Sequence, residues 1–132
     1  MATSCTDVTG FGLLGHLVEM VNASEHVTAR IALATVPLLP GARECVMSGI
    51  FSTLQPANIR LRRALRTSAQ RKYKDEPAYS LLFDPQTAGG LLASVPQKFA
   101  KECVEELKRI GCTDACIIGE VLNESEFEEL DR

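Results

Sequence analysis

From residue 13 onward, Leu13, Leu14, Leu17, Val18, Met20 and Val21 recur at helical spacing, while His16, Glu19 and Asn22 fall on the other side. That period predicts an amphipathic helix. A β-rich run over residues 29–36 predicts a strand, which Pro37, Pro40 and Gly41 end in a loop. Residues 43–48 suit a short helix, and residues 49–57, between Gly49 and Pro56, sustain neither period. A second helix is expected over residues 58–73, with Leu61, Ala64, Leu65 and Ala69 as its apolar stripe.

Tyr79–Phe83 and Leu91–Val95 are short apolar runs that predict buried strands, and the segment from Asp84 to Gly90 between them has turn-forming composition. Pro96 closes the second run. From Gln97, the positions Phe99, Ala100, Cys103, Val104, Leu107 and Ile110 trace one helical face; Glu105 is placed to pair with Arg109, and Gly111 supplies the stop. Residues 115–122 complete the set as a strand. The order predicts an α/β or α+β fold, a mixed β-sheet layered by helices. At 132 residues, one domain is expected.

Hydrophobic residues make up 45% and charged residues 23%, the composition of a chain that packs a core and is far from the disordered class. The longest apolar stretches, over residues 31–39 and 91–95, fall well short of the roughly 20 residues that cross a bilayer. Residues 1–7 lack the basic start and apolar centre of a secretory signal, so export is not expected. The five cysteines (Cys5, Cys45, Cys103, Cys112, Cys116) are odd in number and without C-x-x-C pairs, which fits a reducing, cytoplasmic setting. Cys112 and Cys116 stand close together, but with His16 and His26 distant they write no four-ligand zinc pattern.

The net charge of −3 hides an uneven distribution. Seven of the 14 basic residues (Arg60, Arg62, Arg63, Arg66, Arg71, Lys72, Lys74) fall within one stretch of 15. A nucleic-acid footprint would interleave aromatics, and Tyr73 alone is there. A solvated helix face is the expectation, with no nucleic-acid partner. Residues 123–132 are acidic, and like charges at that density predict a frayed tail.

Two segments concentrate turn and polar chemistry. In Cys5-Thr6-Asp7-Val8-Thr9-Gly10-Phe11-Gly12, the glycines permit a tight turn and close approach of a ligand. Asp7 ahead of a helix can hold a hard cation such as Mg²⁺, with the amides of residues 10–13 facing phosphate oxygens. Equally, Asp7 can make an Asx turn and Thr9 can cap the helix. The segment Asp84–Gly90 can form an anion-binding nest or simply connect two elements, and with no lysine after Gly89-Gly90 it is no P-loop.

The run Cys-Thr-Asp-Val-Thr-Gly-Phe-Gly-Leu-Leu-Gly-His-Leu (5–17) resembles the block that opens the C-terminal domain of selenophosphate synthetases, the selenide, water dikinases. Leu-Phe-Asp-Pro-Gln-Thr-Ala-Gly-Gly-Leu-Leu (82–92) resembles a second block of that family, with Ala88 where serine is usual. Residues 39–42 and 117–121 are similar to weaker family segments, so the likeness spans nearly the whole chain and leaves out the basic stretch and the acidic tail.

This resemblance implies the C-terminal α/β domain of a protein in the aminoimidazole ribonucleotide synthetase superfamily, in which an N-terminal domain forms the homodimer and the C-terminal domain closes the nucleotide cleft. It implies manufacture of selenophosphate from selenide, ATP and water, with release of AMP and phosphate and with Mg²⁺ bridging the phosphates. The nucleophile, its partner lysine and most metal-binding aspartates belong to the N-terminal half, so no catalytic or nucleotide-contacting residue is assigned in this chain and the domain alone is expected to be inactive. Asp7 matches the family's Mg²⁺ ligand. Cys5 is expected to be a small packing residue, and His16 a hydrogen-bonded residue at the surface or a domain interface. Thr9, Gln86 and Thr87 receive no role. The rivals are another ATP-dependent synthetase of the superfamily and a non-catalytic binding or regulatory domain.

Overall fold

The computed structural model describes residues 2–123 and Ser125. In chain order it contains β1 (Ser4–Asp7), α1 (Gly12–Asn22), β2 (Val27–Ile31), a 3-10 turn (Leu33–Thr35), α2 (Ala42–Met47), α3 (Gln55–Asn58), a 3-10 helix (Ile59–Ala64), α4 (Thr67–Tyr73), α5 (Pro77–Leu81), β3 (Leu91–Ser94), α6 (Gln97–Arg109) and β4 (Gly119–Asn123). The class is α+β. Its strands form two two-stranded sheets, β1 with β3 and β2 with β4. Apart from Asn123 and Ser125, the predicted acidic tail lies outside the described residues. No described helix is long and apolar enough to cross a membrane.

The chain divides into two compact units. One holds the described parts of Met1–Cys5, Met20–Pro37 and Ala93–Arg132. Here β2 and β4 pair antiparallel, from Val27 opposite Asn123 to Ile31 opposite Gly119. Arg30 stands opposite Glu120 and donates to its carboxylate from Nε at 2.7 Å. Both side chains are about half exposed, so the pair adds little stability. The strand expected over residues 29–36 starts at Val27 and stops at Ile31, because Thr35 donates both its N–H and its hydroxyl to the Ala32 carbonyl, each at 2.9 Å, and closes a turn. In α6 the stop predicted at Gly111 holds, with φ at 106°. The ion pair does not: Arg109 donates from Nε to Glu106 at 3.0 Å, not to Glu105, since residues three apart also share a helix face.

The second unit comprises Thr6–Glu19 and Leu38–Leu92. It contains the buried apolar residues of the described chain: Val8, Leu14, Ala78, Leu82 and Phe83. Tyr79–Phe83, predicted as a strand, instead begins within α5 and continues into a turn. A five-residue apolar run cannot separate the two periods, and Pro77 sets the first helical turn. Tyr79 and Phe83, four apart, meet edge to face at 5.3 Å. The basic helix expected over residues 58–73 is also broken. Leu65 and Arg66 are extended, and Gln70 reaches back to donate to the Arg62 and Leu65 carbonyls at 2.9 and 2.8 Å, closing the end of the 3-10 helix. All seven basic residues of the stretch are exposed.

Candidate functional site

The two polar segments, more than 70 residues apart, pack against each other through backbone bonds. Val8 donates to the Gly90 carbonyl at 2.9 Å and accepts from Gly89 at 3.1 Å, while Thr9 accepts from Gln86 at 3.0 Å. Leu14, in the first turn of α1, donates to Leu82 at 3.0 Å. Glycine is required at the closest approaches. A Cβ on Gly89 would stand 2.2 Å from the Val8 oxygen. One on Gly12, where φ is +70°, would meet the Leu82 oxygen at 2.9 Å and the Asp84 oxygen at 3.0 Å. The tight turn expected from Gly10 and Gly12 thus rests on Gly12, since a Cβ on Gly10 would meet nothing within 4 Å.

Asp7 ends β1 with its side chain exposed. No hydrogen bond or ion pair engages its carboxylate among the described residues, so it makes no Asx turn there. Thr9 does not cap α1 with its hydroxyl either, because Oγ1 lies 3.1 Å from His16 Nε2. His16 is hydrogen-bonded as expected, yet it is only 6% exposed, so of the two settings expected for it, the surface or a domain interface, the surface is contradicted. The first turn of α1 is covered on more sides than the amphipathic pattern implies, with Gly12, Leu14, Gly15 and His16 all buried. Cys5, expected to pack, is exposed, as alternation along β1 turns it outward.

In the segment Asp84–Gly90 the amides of Asp84, Gln86 and Gly89 go to the carbonyls of Leu81, Thr9 and Val8, so these three are not turned to an anion. Burial pushes the Asp84 carboxyl above its ordinary pKa, opposed by a hydrogen bond from Gln86 Nε2 to Oδ2 at 3.0 Å. Thr87 is exposed.

Two residues that hold this assembly were missed in the sequence. Asn58 is 7% exposed, and its Nδ2 donates to the Gly10 carbonyl at 2.8 Å and to the Phe83 carbonyl at 3.1 Å, clamping one segment to the other. Gln55, also buried, donates to the Ser80 carbonyl at 2.8 Å. Their one trace in the sequence is the i, i+3 spacing of two amides around Pro56, across the junction between the stretch expected to be irregular (49–57) and the helix expected over 58–73.

The sequence profile of the family described as AIR synthase related protein, C-terminal domain, matches residues 1–131. The chain belongs to this family. It is similar to the selenide, water dikinase of Clostridioides difficile, 40% identical over 124 residues, covering 93% of this chain and 34% of that protein. The corresponding protein of Caldanaerobacter subterraneus is 37% identical over 125 residues, covering 95% of this chain and 35% of its own length. That of Pelobacter propionicus is 39% identical over 128 residues, covering 92% and 34%. The chain therefore spans about a third of the length of these relatives.

Among the described residues, no group of three or more His, Cys, Asp and Glu side chains is gathered to hold a metal. Asp7 nevertheless fits a hard cation in kind. Its oxygens are exposed and uncommitted, on a backbone that the Val8 and Thr9 hydrogen bonds hold in place. One carboxylate supplies one or two of the six oxygens that Mg²⁺ requires.

Proposed function

We propose that this chain is the C-terminal domain of a selenide, water dikinase, a cytoplasmic, homodimeric enzyme that makes selenophosphate from selenide, ATP and water and releases AMP and phosphate. The observation that carries the proposal is the likeness to the three dikinases over more than nine-tenths of the chain. The packing of the two segments that resemble the dikinase family supports it, because it leaves Asp7 exposed on a fixed backbone.

In this reading Asp7 is one ligand of Mg²⁺, which when bound neutralises the charge gathering on phosphate oxygens during phosphoryl transfer. The chain's own part is to hold that carboxylate still. Val8 is tied at both its N–H and its carbonyl, and the Thr9 carbonyl accepts from Gly12 and Gln86, so the segment carrying Asp7 has little freedom. The nucleophile, its lysine and the remaining aspartates are assigned to an N-terminal domain of the same protein.

The test uses the complete enzyme with Asp7→Asn, followed by AMP release and by ³¹P NMR of selenophosphate across a Mg²⁺ titration. Activity is expected to collapse, with partial return at high Mg²⁺. Normal turnover at every Mg²⁺ concentration would remove Asp7 from the chemistry. The 132-residue chain alone is expected to release no AMP from ATP, and turnover by it that Asp7→Asn abolishes would overturn the division of labour.

A further inference from the structure

A cavity of about 320 Å³ opens in the second unit, lined from α2, from the chain that follows it, from α3, and from the end of α5 and the turn beyond. That volume lies at the lower end of the range that small-molecule sites occupy. Val46, Ile50, Phe51 and Leu81 give it apolar walls. Ile50 is 63% and Phe51 48% exposed, so both stand where the cavity opens to solvent, and a bound molecule would cover them.

The polar groups that line it have unused capacity to accept. Gln55 is 4% exposed, and its Nε2 is committed to the Ser80 carbonyl at 2.8 Å, which leaves Oε1. Oε1 accepts from no donor among the described residues, yet it is not sealed in, because His16 Nδ1 is the one enclosed side-chain atom among them without a partner. On Asp84, Oδ2 accepts from Gln86 Nε2 at 3.0 Å, while Oδ1 accepts nothing among the described residues. No Lys, Arg or His is among the described residues that line the cavity. Burial raises the Asp84 pKa, and no basic side chain in the cavity offsets it.

These walls select a ligand by its chemistry. An anion would meet the Asp84 carboxylate, and a wholly apolar molecule would cover two acceptors and leave them unpaired. A positive group that carries N–H donors satisfies both, and an apolar body satisfies the rest of the lining. Phe51 adds an aromatic ring, which suits a flat body or a cation. We propose that this cavity binds a free small organic cation with an apolar body, of the amidinium or aryl-ammonium class, which donates to Asp84 and to Gln55 Oε1. Asp7 does not line the cavity, so the inference is independent of the reading of that residue.

The test uses the 132-residue chain with benzamidine as the probe, followed by ¹⁵N NMR. Amide shifts are expected to centre on residues 42–55 and 81–84, with a Kd in the millimolar range, as for other fragments. Benzamide keeps the shape without the charge and should bind about tenfold more weakly, the scale of losing one hydrogen bond to a charged group. Benzoate should not bind. Asp84→Asn should weaken benzamidine about tenfold and bring it level with benzamide. Cys45, exposed and part of the lining, supplies a readout that needs no variant. Benzamidine should slow its alkylation by iodoacetamide, mapped by peptide mass, and leave exposed Cys112 of the other unit unaffected.

Equal binding of benzamide and benzamidine by the parent would overturn the inference. So would full affinity in Asp84→Asn, shifts centred outside these residues, or equal protection of Cys45 and Cys112.

Discussion

Replacing Asn58 with alanine removes one amide that closes two backbone carbonyls at once. Nδ2 donates to Gly10 and to Phe83, and the two carbonyls fare differently when it is gone. Gly10 is exposed, so water can replace the lost donor there, at a cost near the net worth of one bond, about 0.5–1.5 kcal/mol. Phe83 is 2% exposed, and its carbonyl is left unsatisfied, which costs about 1–3 kcal/mol. The sum is roughly 1.5–4.5 kcal/mol. For a chain of this size that corresponds to a fall in Tm of about 5–17 °C. The assay is thermal and urea unfolding of the 132-residue chain followed by circular dichroism. Asn22→Ala, an exposed position, serves as control and should stay within about 0.5 kcal/mol. Asn58→Asp should be worse than alanine at neutral pH, because it turns a carboxylate toward two carbonyl oxygens. An Asn58→Ala variant indistinguishable from the Asn22→Ala control would refute the clamp.

Gly89→Ala is expected to destabilise by about 1–3 kcal/mol in urea unfolding, since its Cβ would be driven into the Val8 carbonyl, while Gly90→Ala, with nothing within 4 Å, should lie near the parent. Equal effects would mean that the contact yields freely. Burial raises the Asp84 pKa, so the folded state binds the proton more tightly than the unfolded chain does, and stability falls as pH rises from the ordinary value of 3.8 through the folded one. Asp84→Asn should therefore gain stability relative to the parent across that window in pH-dependent unfolding; a constant difference would contradict the shift. Changing Arg62, Arg63 and Arg66 to glutamine should leave folding nearly untouched, because all three are exposed. Salt-sensitive micromolar RNA affinity that the triple variant loses would instead make the stretch a nucleic-acid surface.

The sequence was legible where one physical signal acted alone. Helix α6 has an apolar face over three turns and a glycine stop, and residues 97–109 form the helix that pattern predicts. The first turn of α1 was harder. Periodicity put His16 on the polar side, but Phe11 and Thr9 cover it from a loop whose path no period describes. Tyr79–Phe83 failed for a related reason: in so short a run, the proline at its start outweighs its apolar character. Asn58 was illegible because its value lies in two distant carbonyls. Both glycine-rich segments could be named as special, yet their mutual packing depends on chain geometry that spacing does not encode.

That packing also separates what Asp7 does from what its neighbours do. Val8, Gly12 and Gly89 are committed to backbone contacts, so their substitution should be felt as lost stability. Asp7 sits among them with no side-chain partner among the described residues, and Asp7→Asn should change the unfolding free energy of the isolated chain by no more than about 0.5 kcal/mol. A cap or turn residue behaves differently when its side chain is removed altogether: Asp7→Ala would then cost about 1 kcal/mol, while asparagine would substitute well. The pair of variants therefore distinguishes the two roles without any assay of catalysis. Equal stability of the parent, Asp7→Asn and Asp7→Ala leaves the carboxylate free for a cation. A loss confined to Asp7→Ala would show that this residue serves the fold.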